Sequence, residues 1–460
     1  MTDPALTRAL AGRQTLIAQL SDLIACPSVS ADPASEPGME AARRLFEAFL
    51  AETGFHHIRR LDGGGHPAIA AEWMGAPGRP TLLVYGHYDV QPPDPLDRWT
   101  TPPFAASIRD GRIHGRGAAD DKGPLLVALA ALAAVLAEDG GLPVNVRILI
   151  EGEEELGSRS LERILSDHLE TLACDAVLSA DGARWRADLP TLNMATRGIG
   201  TLEFSVRTAA KDLHSGRYGG VVPNALHVIS CILAALHDDQ GRVTIPNFYD
   251  GIADPDVALR EELAAIPFSV DDWLAGAGAA PVGEAGFGTL ERLWLRPCLD
   301  VNGLYGGYCG PGSKTVIPSE AHAKLSLRLV PGQHPENIRS SLVAHLKALC
   351  PDHADLAVST DSLWTAATAV RRDHPLLKAA GDALARTSGA APLLVRIGAS
   401  LPICDIVRRI LGCDVVMFSF ATADENFHAP DEFFRLSSID EGLAAWIALL
   451  RVLEGSENLS

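Results

Sequence analysis

Several short apolar runs in this chain end abruptly in histidine or acid residues, and that pattern constrains the fold more than any other feature. Thr81 to Tyr85 runs into Gly86-His87-Tyr88-Asp89, and Val144 to Ile150 into Glu151-Gly152-Glu153-Glu154-Glu155. Ala176 to Ser179 runs into Ala180-Asp181, and Val415 to Phe420 into a loop holding His428. Short, mostly apolar and β-branched runs of this kind suit buried strands, as in a parallel sheet. Helical periodicity separates them, at Ala5–Ile24, Glu40–Thr53, Gly123–Glu138 and Pro375–Ser388. Alternation of this kind predicts an α/β fold with a mostly parallel sheet.

The pattern changes near Arg197. Leu202, Phe204 and Val206 alternate with Glu203, Ser205 and Arg207, and Ala323, Leu325, Leu327 and Leu329 alternate with Lys324, Ser326 and Arg328. Period-two strands have one wet or ligand-facing side. With amphipathic stretches at Ala225–His237 and Glu336–Leu349, they predict a separate α+β unit inserted into the first domain. The expected organisation is a catalytic domain in two segments, 1–196 and 366–460, interrupted by a unit over 197–365.

Charge narrows the partners. With 58 Asp and Glu against 39 Lys and Arg, the net charge is −19, and so acidic a body repels phosphate backbones and anionic lipid surfaces. Neither nucleic acid nor a membrane is expected as a partner. The first twenty residues lack the basic start and apolar stretch of a signal peptide, and Leu125–Ala137 is too short to span a bilayer. The eight cysteines form no C-x-x-C pair, which fits free thiols in a reducing cytoplasm.

In open α/β sheets the ligand crevice lies at the carboxyl ends of the strands. The strand-end clusters, together with Gly115–Gly123 and its Asp120-Asp121 pair, therefore converge there. Two imidazoles and several carboxylates make a mixed N/O donor set, suited to zinc, manganese or cobalt. One carboxylate can bridge two ions. Asp89, two residues beyond His87, is placed to hold that imidazole's second nitrogen. In the run Glu153–Glu155 one side chain suffices to ligate, leaving a neighbour free as a general base. Gly115-x-Gly-x-x-Asp120 superficially resembles a dinucleotide loop, but it lacks the third glycine and its acidic surroundings would repel a pyrophosphate.

The order of these pieces resembles the di-zinc metallopeptidases that include carnosinase-type dipeptidases, glutamate carboxypeptidases, aminoacylases and succinyl-diaminopimelate desuccinylase. The matching stretches are YGHYDVQP (85–92), GRGAADDKGP (115–124), EGEEELGS (151–158), SADG (179–182), DLHSGRYGG (212–220), SKTVIP (313–318), LSLRLVPGQ (325–333) and ENFHAPDE (425–432). The resemblance is strongest to the carnosinase-like dipeptidases. It implies two divalent ions per chain, zinc foremost, with His87 and Asp181 holding one, Glu155 and His428 the other, and Asp120 bridging. It further implies Glu154 as general base, Asp89 as the residue orienting His87, and a cis peptide between Asp120 and Asp121. His214 would stabilise the oxyanion, Arg328 would bind a substrate carboxylate, and Thr315 and Ser400 would be further substrate contacts. The inserted unit would act as a lid and dimerisation domain of a homodimer, with His214 serving the other chain's site.

The expected activity is hydrolysis of the amide bond of a dipeptide or similar substrate with a free C-terminal carboxylate. An N-acyl-amino-acid deacylase or desuccinylase is the alternative within the same family, and a catalytically silent binding or scaffold relative the alternative outside it. Two departures stand out. Ile397 and Ala399 occupy positions where relatives often carry an acid and a glycine, and Gly182 follows Asp181 where a polar residue is expected.

Overall fold

The fold is described from a computed structural model, over residues 3–275, 277–359 and 362–459. The chain divides into two compact units. One comprises the chain up to Met194, Val370–Arg396 and the stretch from Pro402 onward; the other comprises Ala195–Ala369 together with Ile397–Leu401.

The first unit is built on a six-stranded sheet: β1 (His56–Leu61), β2 (Ala68–Trp73), β3 (Thr81–His87), β4 (Asn145–Glu151), β5 (Ala176–Ser179) and β6 (Val415–Met417), in the order β1-β2-β4-β3-β5-β6. β3 runs parallel to both β4 and β5, and β6 parallel to β5; β1 and β2 form an antiparallel margin. The mostly parallel α/β sheet expected from the apolar runs is therefore present. Its central strands β3 and β5 are largely apolar and buried, whereas the marginal β1 is mostly exposed. The helix α1 (Lys122–Asp139) is buried along nearly its whole length, and α2 (Pro375–Ser388) and α3 (Leu436–Leu453) share its core. Gly140, left-handed at φ 71°, stops α1 by donating its N–H to the Leu136 carbonyl.

Two elements depart from the sequence reading. The helix expected over Ala5–Ile24 is two helices, Pro4–Ala11 and Arg13–Ile24, divided at Gly12, where a residue without a side chain ends the first helix most readily. The strand expected over Val415–Phe420 stops at Met417. Its partner β5 ends at Ser179, so after Phe418 N–H donates to the Ser179 carbonyl at 2.8 Å the ladder has no further rung.

In the second unit, Gly198–Arg207 and Glu320–Leu329 pair antiparallel with Leu202 opposite Leu325 and Phe204 opposite Ala323. Their buried side chains pack with helices Ala225–Ala234 and Pro335–Leu349. The alternating pattern is thus a sheet with one face on the core. No described helix is long and apolar enough to cross a membrane.

Candidate metal centre

The residues expected to bear chemistry in the first unit meet at the carboxyl ends of its strands. His87 is the last residue of β3, Glu154 and Glu155 follow β4, Asp181 follows β5, and Asp120 lies just ahead of α1. His428 sits on the loop after β6. That loop holds three non-glycine residues in left-handed backbone, Asn426, His428 and Asp431, at φ 57°, 58° and 57°, a conformation that surroundings must enforce. Buried Glu425 supplies part of that constraint, since its carboxylate accepts the N–H groups of Thr422 at 2.9 Å and of Arg435 at 3.1 Å, drawing the loop's two ends together.

Two groups of ligand-type atoms result, each lying within 4.8 Å of one another: His87, Asp120 and Asp181, and Asp120, Glu155 and His428. Asp120 belongs to both. Its Oδ1 is 3.1 Å from His87 Nε2 and its Oδ2 is 3.0 Å from His428 Nε2, while His428 Nε2 is 3.2 Å from Glu155 Oε2. The peptide between Asp120 and Asp121 is cis.

Asp89 serves this group in two ways. The main-chain oxygen of Asp89 is 3.0 Å from His87 Nδ1 and its carboxylate Oδ1 is 3.4 Å away, so the nearer acceptor for the imidazole is the carbonyl. With Nδ1–H donated there, Nε2 is the nitrogen left to ligate. The carboxylate of Asp89 instead accepts the N–H of Glu154 at 3.2 Å, the N–H of Glu155 at 3.1 Å and the Ser30 hydroxyl at 2.7 Å. Gln91 adds a further tie, its Nε2 donating to Glu155 Oε2 at 2.8 Å. Ser30 and Gln91 were not singled out as site residues. Gln91 lies inside the YGHYDVQP stretch and could have been; Ser30 carries no local signal, because its partner is 59 residues away.

Burial and charge make this a site short of positive charge. Burial, with Asp181 and Glu155 nearby, pushes the Glu154 carboxyl well above its usual range. Burial and the neighbouring Asp120 raise Glu155 to about 7, and burial raises Asp181 to about 6. Burial pulls His87 down, but the surrounding carboxylates outweigh it and hold the imidazole well above 6.5; hydrogen bonds to Asp120 and Glu155 raise His428 to about 10. Asp181 Oδ2 is buried with no hydrogen-bond partner. Crowded carboxylates, two imidazoles and an unpaired buried oxygen suit divalent cations, and the nitrogen and oxygen donors without thiolate suit zinc, manganese or cobalt. Gly182 adopts φ 111°, a backbone conformation that favours glycine, which accounts for that departure.

The profile of Peptidase family M20/M25/M40 matches residues 83–452. The chain belongs to that family. It is 30% identical to human Beta-Ala-His dipeptidase over 394 residues, covering 83% of this chain and 76% of that protein. It is 28% identical to the Cys-Gly metallodipeptidase dug1 of Schizosaccharomyces pombe, covering 94% of each. The solved structure of the dipeptidase Dug1p from Saccharomyces cerevisiae superposes with a TM-score of 0.83 at 27% identity, covering 98% of both chains. This M20 chain is thus a metallopeptidase by family, and the family implies divalent metal ions.

The remaining expected residues lie in the second unit. His214 pairs with Val316 in a short antiparallel bridge, and the Ser215 N–H donates to the Thr315 carbonyl at 3.1 Å, so His214 and Thr315 are side by side. His214 is exposed, and its Nδ1 accepts the Gly216 N–H at 3.0 Å. In the neutral ring the proton then sits on Nε2, which is free to donate outward. Arg328 Nη1 donates to Ser400 Oγ at 3.0 Å, joining two other expected substrate contacts. Ile397 and Ala399 are fastened through main-chain bonds to Ala195 and Arg197, and nothing in the structure explains their side chains.

Proposed function

We propose that the protein is a dipeptidase using two divalent ions, zinc foremost. His87 and Asp181 hold one, Glu155 and His428 hold the other, and Asp120 bridges them. The observation carrying this reading is that Asp120 offers a separate oxygen to each of two histidine-containing groups. Ions bound there supply Lewis acidity toward the scissile carbonyl and acidify water. Glu154 accepts a proton from the attacking water and returns it to the leaving amine. Asp89 holds Glu154 and Glu155 by their N–H groups. His214 donates Nε2–H to the developing oxyanion, and Arg328 binds the substrate's C-terminal carboxylate, with Thr315 and Ser400 as further substrate contacts.

The relatives named as dipeptidases support a dipeptide substrate over an N-acyl amino acid. The working form is a homodimer in which His214 of one chain serves the other chain's metal centre, a reading supported by the placement of His214 on the second unit and of all five ligands on the first. Its compartment is the cytoplasm, consistent with eight free cysteines. Hydrolysis of a dipeptide panel, run beside N-acetyl and N-succinyl amino acids with zinc, manganese and cobalt in turn, tests the reading. Cleavage of dipeptides alone is expected; faster turnover of the acylated amino acids would make the protein a deacylase.

A further inference from the structure

Glu432 lies four residues beyond His428 and is wholly buried. Its Oε2 accepts from Arg116 Nη1 at 2.7 Å and from the Gly117 N–H at 3.0 Å; its Oε1 accepts the N–H groups of Ala119 at 2.9 Å and Asp120 at 3.2 Å. Its main-chain oxygen accepts the Gly115 N–H at 3.0 Å. Every one of these donors lies in the stretch 115–120 that delivers Asp120. Arg116 is itself 1% exposed and supplies the counter-charge that a buried carboxylate needs. The stretch is a run of turns rather than helix or strand, with Ala118 N–H donating to the Gly115 carbonyl at 3.2 Å, and Gly117 sits at φ 83° with no room for a side chain beside Val90. One carboxylate therefore gathers three main-chain N–H groups and the Arg116 side chain of this loop and ties it to the loop carrying His428.

We propose that Glu432 is a positioning residue of the metal centre, fixing the Asp120 loop so that the two Asp120 oxygens face the His87 group and the His428 group at once. The inference rests on the two-ion reading. Glutamine at 432 keeps one acceptor oxygen but turns an amide N–H₂ toward donors, either Ala119 and Asp120 or Arg116 and Gly117. Asp120 is shared, so both sites must weaken together.

The test is zinc titration of the chelator-stripped full-length chain against a chromophoric competitor, for wild type, Glu432→Gln and His428→Ala. Glu432→Gln is expected to lose about 10- to 100-fold in zinc affinity at both sites, the scale found when residues supporting metal ligands are changed. His428→Ala is expected to weaken one site only. A residue acting on stability alone would lower the unfolding midpoint of the metal-free chain and leave zinc affinity of the folded chain unchanged. Wild-type affinity at both sites in Glu432→Gln would overturn the proposal, as would loss at one site alone. If Glu432→Gln does not fold, Glu432→Asp, which withdraws the charge by one methylene, carries the same comparison, with at least about tenfold loss at both sites expected and unchanged affinity refuting. Failure of the wild-type chain to bind two zinc ions would instead reject the two-ion reading itself.

Discussion

Replacing Asp89 by asparagine separates the two duties of that residue. The buried carboxylate accepts three hydrogen bonds, from Ser30 Oγ at 2.7 Å, Glu155 N–H at 3.1 Å and Glu154 N–H at 3.2 Å. Asparagine retains one acceptor oxygen. Placed at Oδ2 it keeps Ser30 and Glu155, and its amide N–H₂ then confronts the Glu154 N–H. One bond is lost with a donor left unsatisfied, about 1–3 kcal/mol, and two bonds fall from charge-assisted to neutral strength, about 1 kcal/mol each. The expected loss is about 3–5 kcal/mol, read from urea unfolding of the metal-free chain. The main-chain oxygen that holds His87 Nδ1 is unchanged, so zinc should persist at the His87 group. Glu154 loses its anchor, and displacement of a reacting group by about 1 Å lowers turnover about 10²-fold. A stability loss below about 1 kcal/mol together with unchanged turnover would refute the assignment of the Asp89 carboxylate to the Glu154–Glu155 segment.

Glu154→Gln keeps the shape of the side chain but cannot take up a proton, so turnover should vanish while both metals remain by elemental analysis; near-wild-type rates would remove Glu154 as the base. Asp120→Ala should lose metal from both sites, and two ions per chain in that variant would contradict bridging. In the metal-free chain the carboxylates around His87 hold its imidazole well above the usual histidine range, and hydrogen bonds to Asp120 and Glu155 raise His428 to about 10, so at pH 7 His428 carries a proton that metal must displace. Calorimetry in buffers of different ionisation enthalpy should therefore show net proton release on zinc binding, with affinity falling as pH is lowered; zero release would contradict imidazole ligation. Mixing Glu154→Ala with His214→Ala dimers and allowing subunits to exchange should restore about a quarter of all sites if His214 acts across the dimer. No recovery, with heterodimers demonstrated, would assign His214 to its own chain.

The architecture was legible because the sheet's interior strands are buried on both faces, so Leu82–Tyr85, Ile148–Ile150 and Ala176–Leu178 read as unbroken apolar runs, and the polar residues after them fall at strand ends by geometry alone. Short-range detail was less so: a glycine at position 12 does not announce whether it will be tolerated within a helix or divide it. The residues that support the site were the least legible. Ser30 reaches Asp89 across 59 residues and Glu432 reaches Asp120 across 312, and a buried carboxylate accepting main-chain N–H groups leaves no periodicity in sequence. Asp89 was legible in part, since proximity to His87 points to that imidazole, 3.4 Å from the carboxylate, but not to the hydrogen bonds it also accepts from Glu154, Glu155 and Ser30.

The most direct test of the whole account is dipeptide hydrolysis as a function of bound metal. The chain is stripped with chelator until elemental analysis finds no divalent ion, then titrated with zinc while turnover of a dipeptide is followed. The account predicts no turnover in the stripped chain and a rate that rises until two ions are bound per chain. Undiminished hydrolysis by the verified metal-free chain would contradict it, as would a rate that reaches its plateau with a single ion bound.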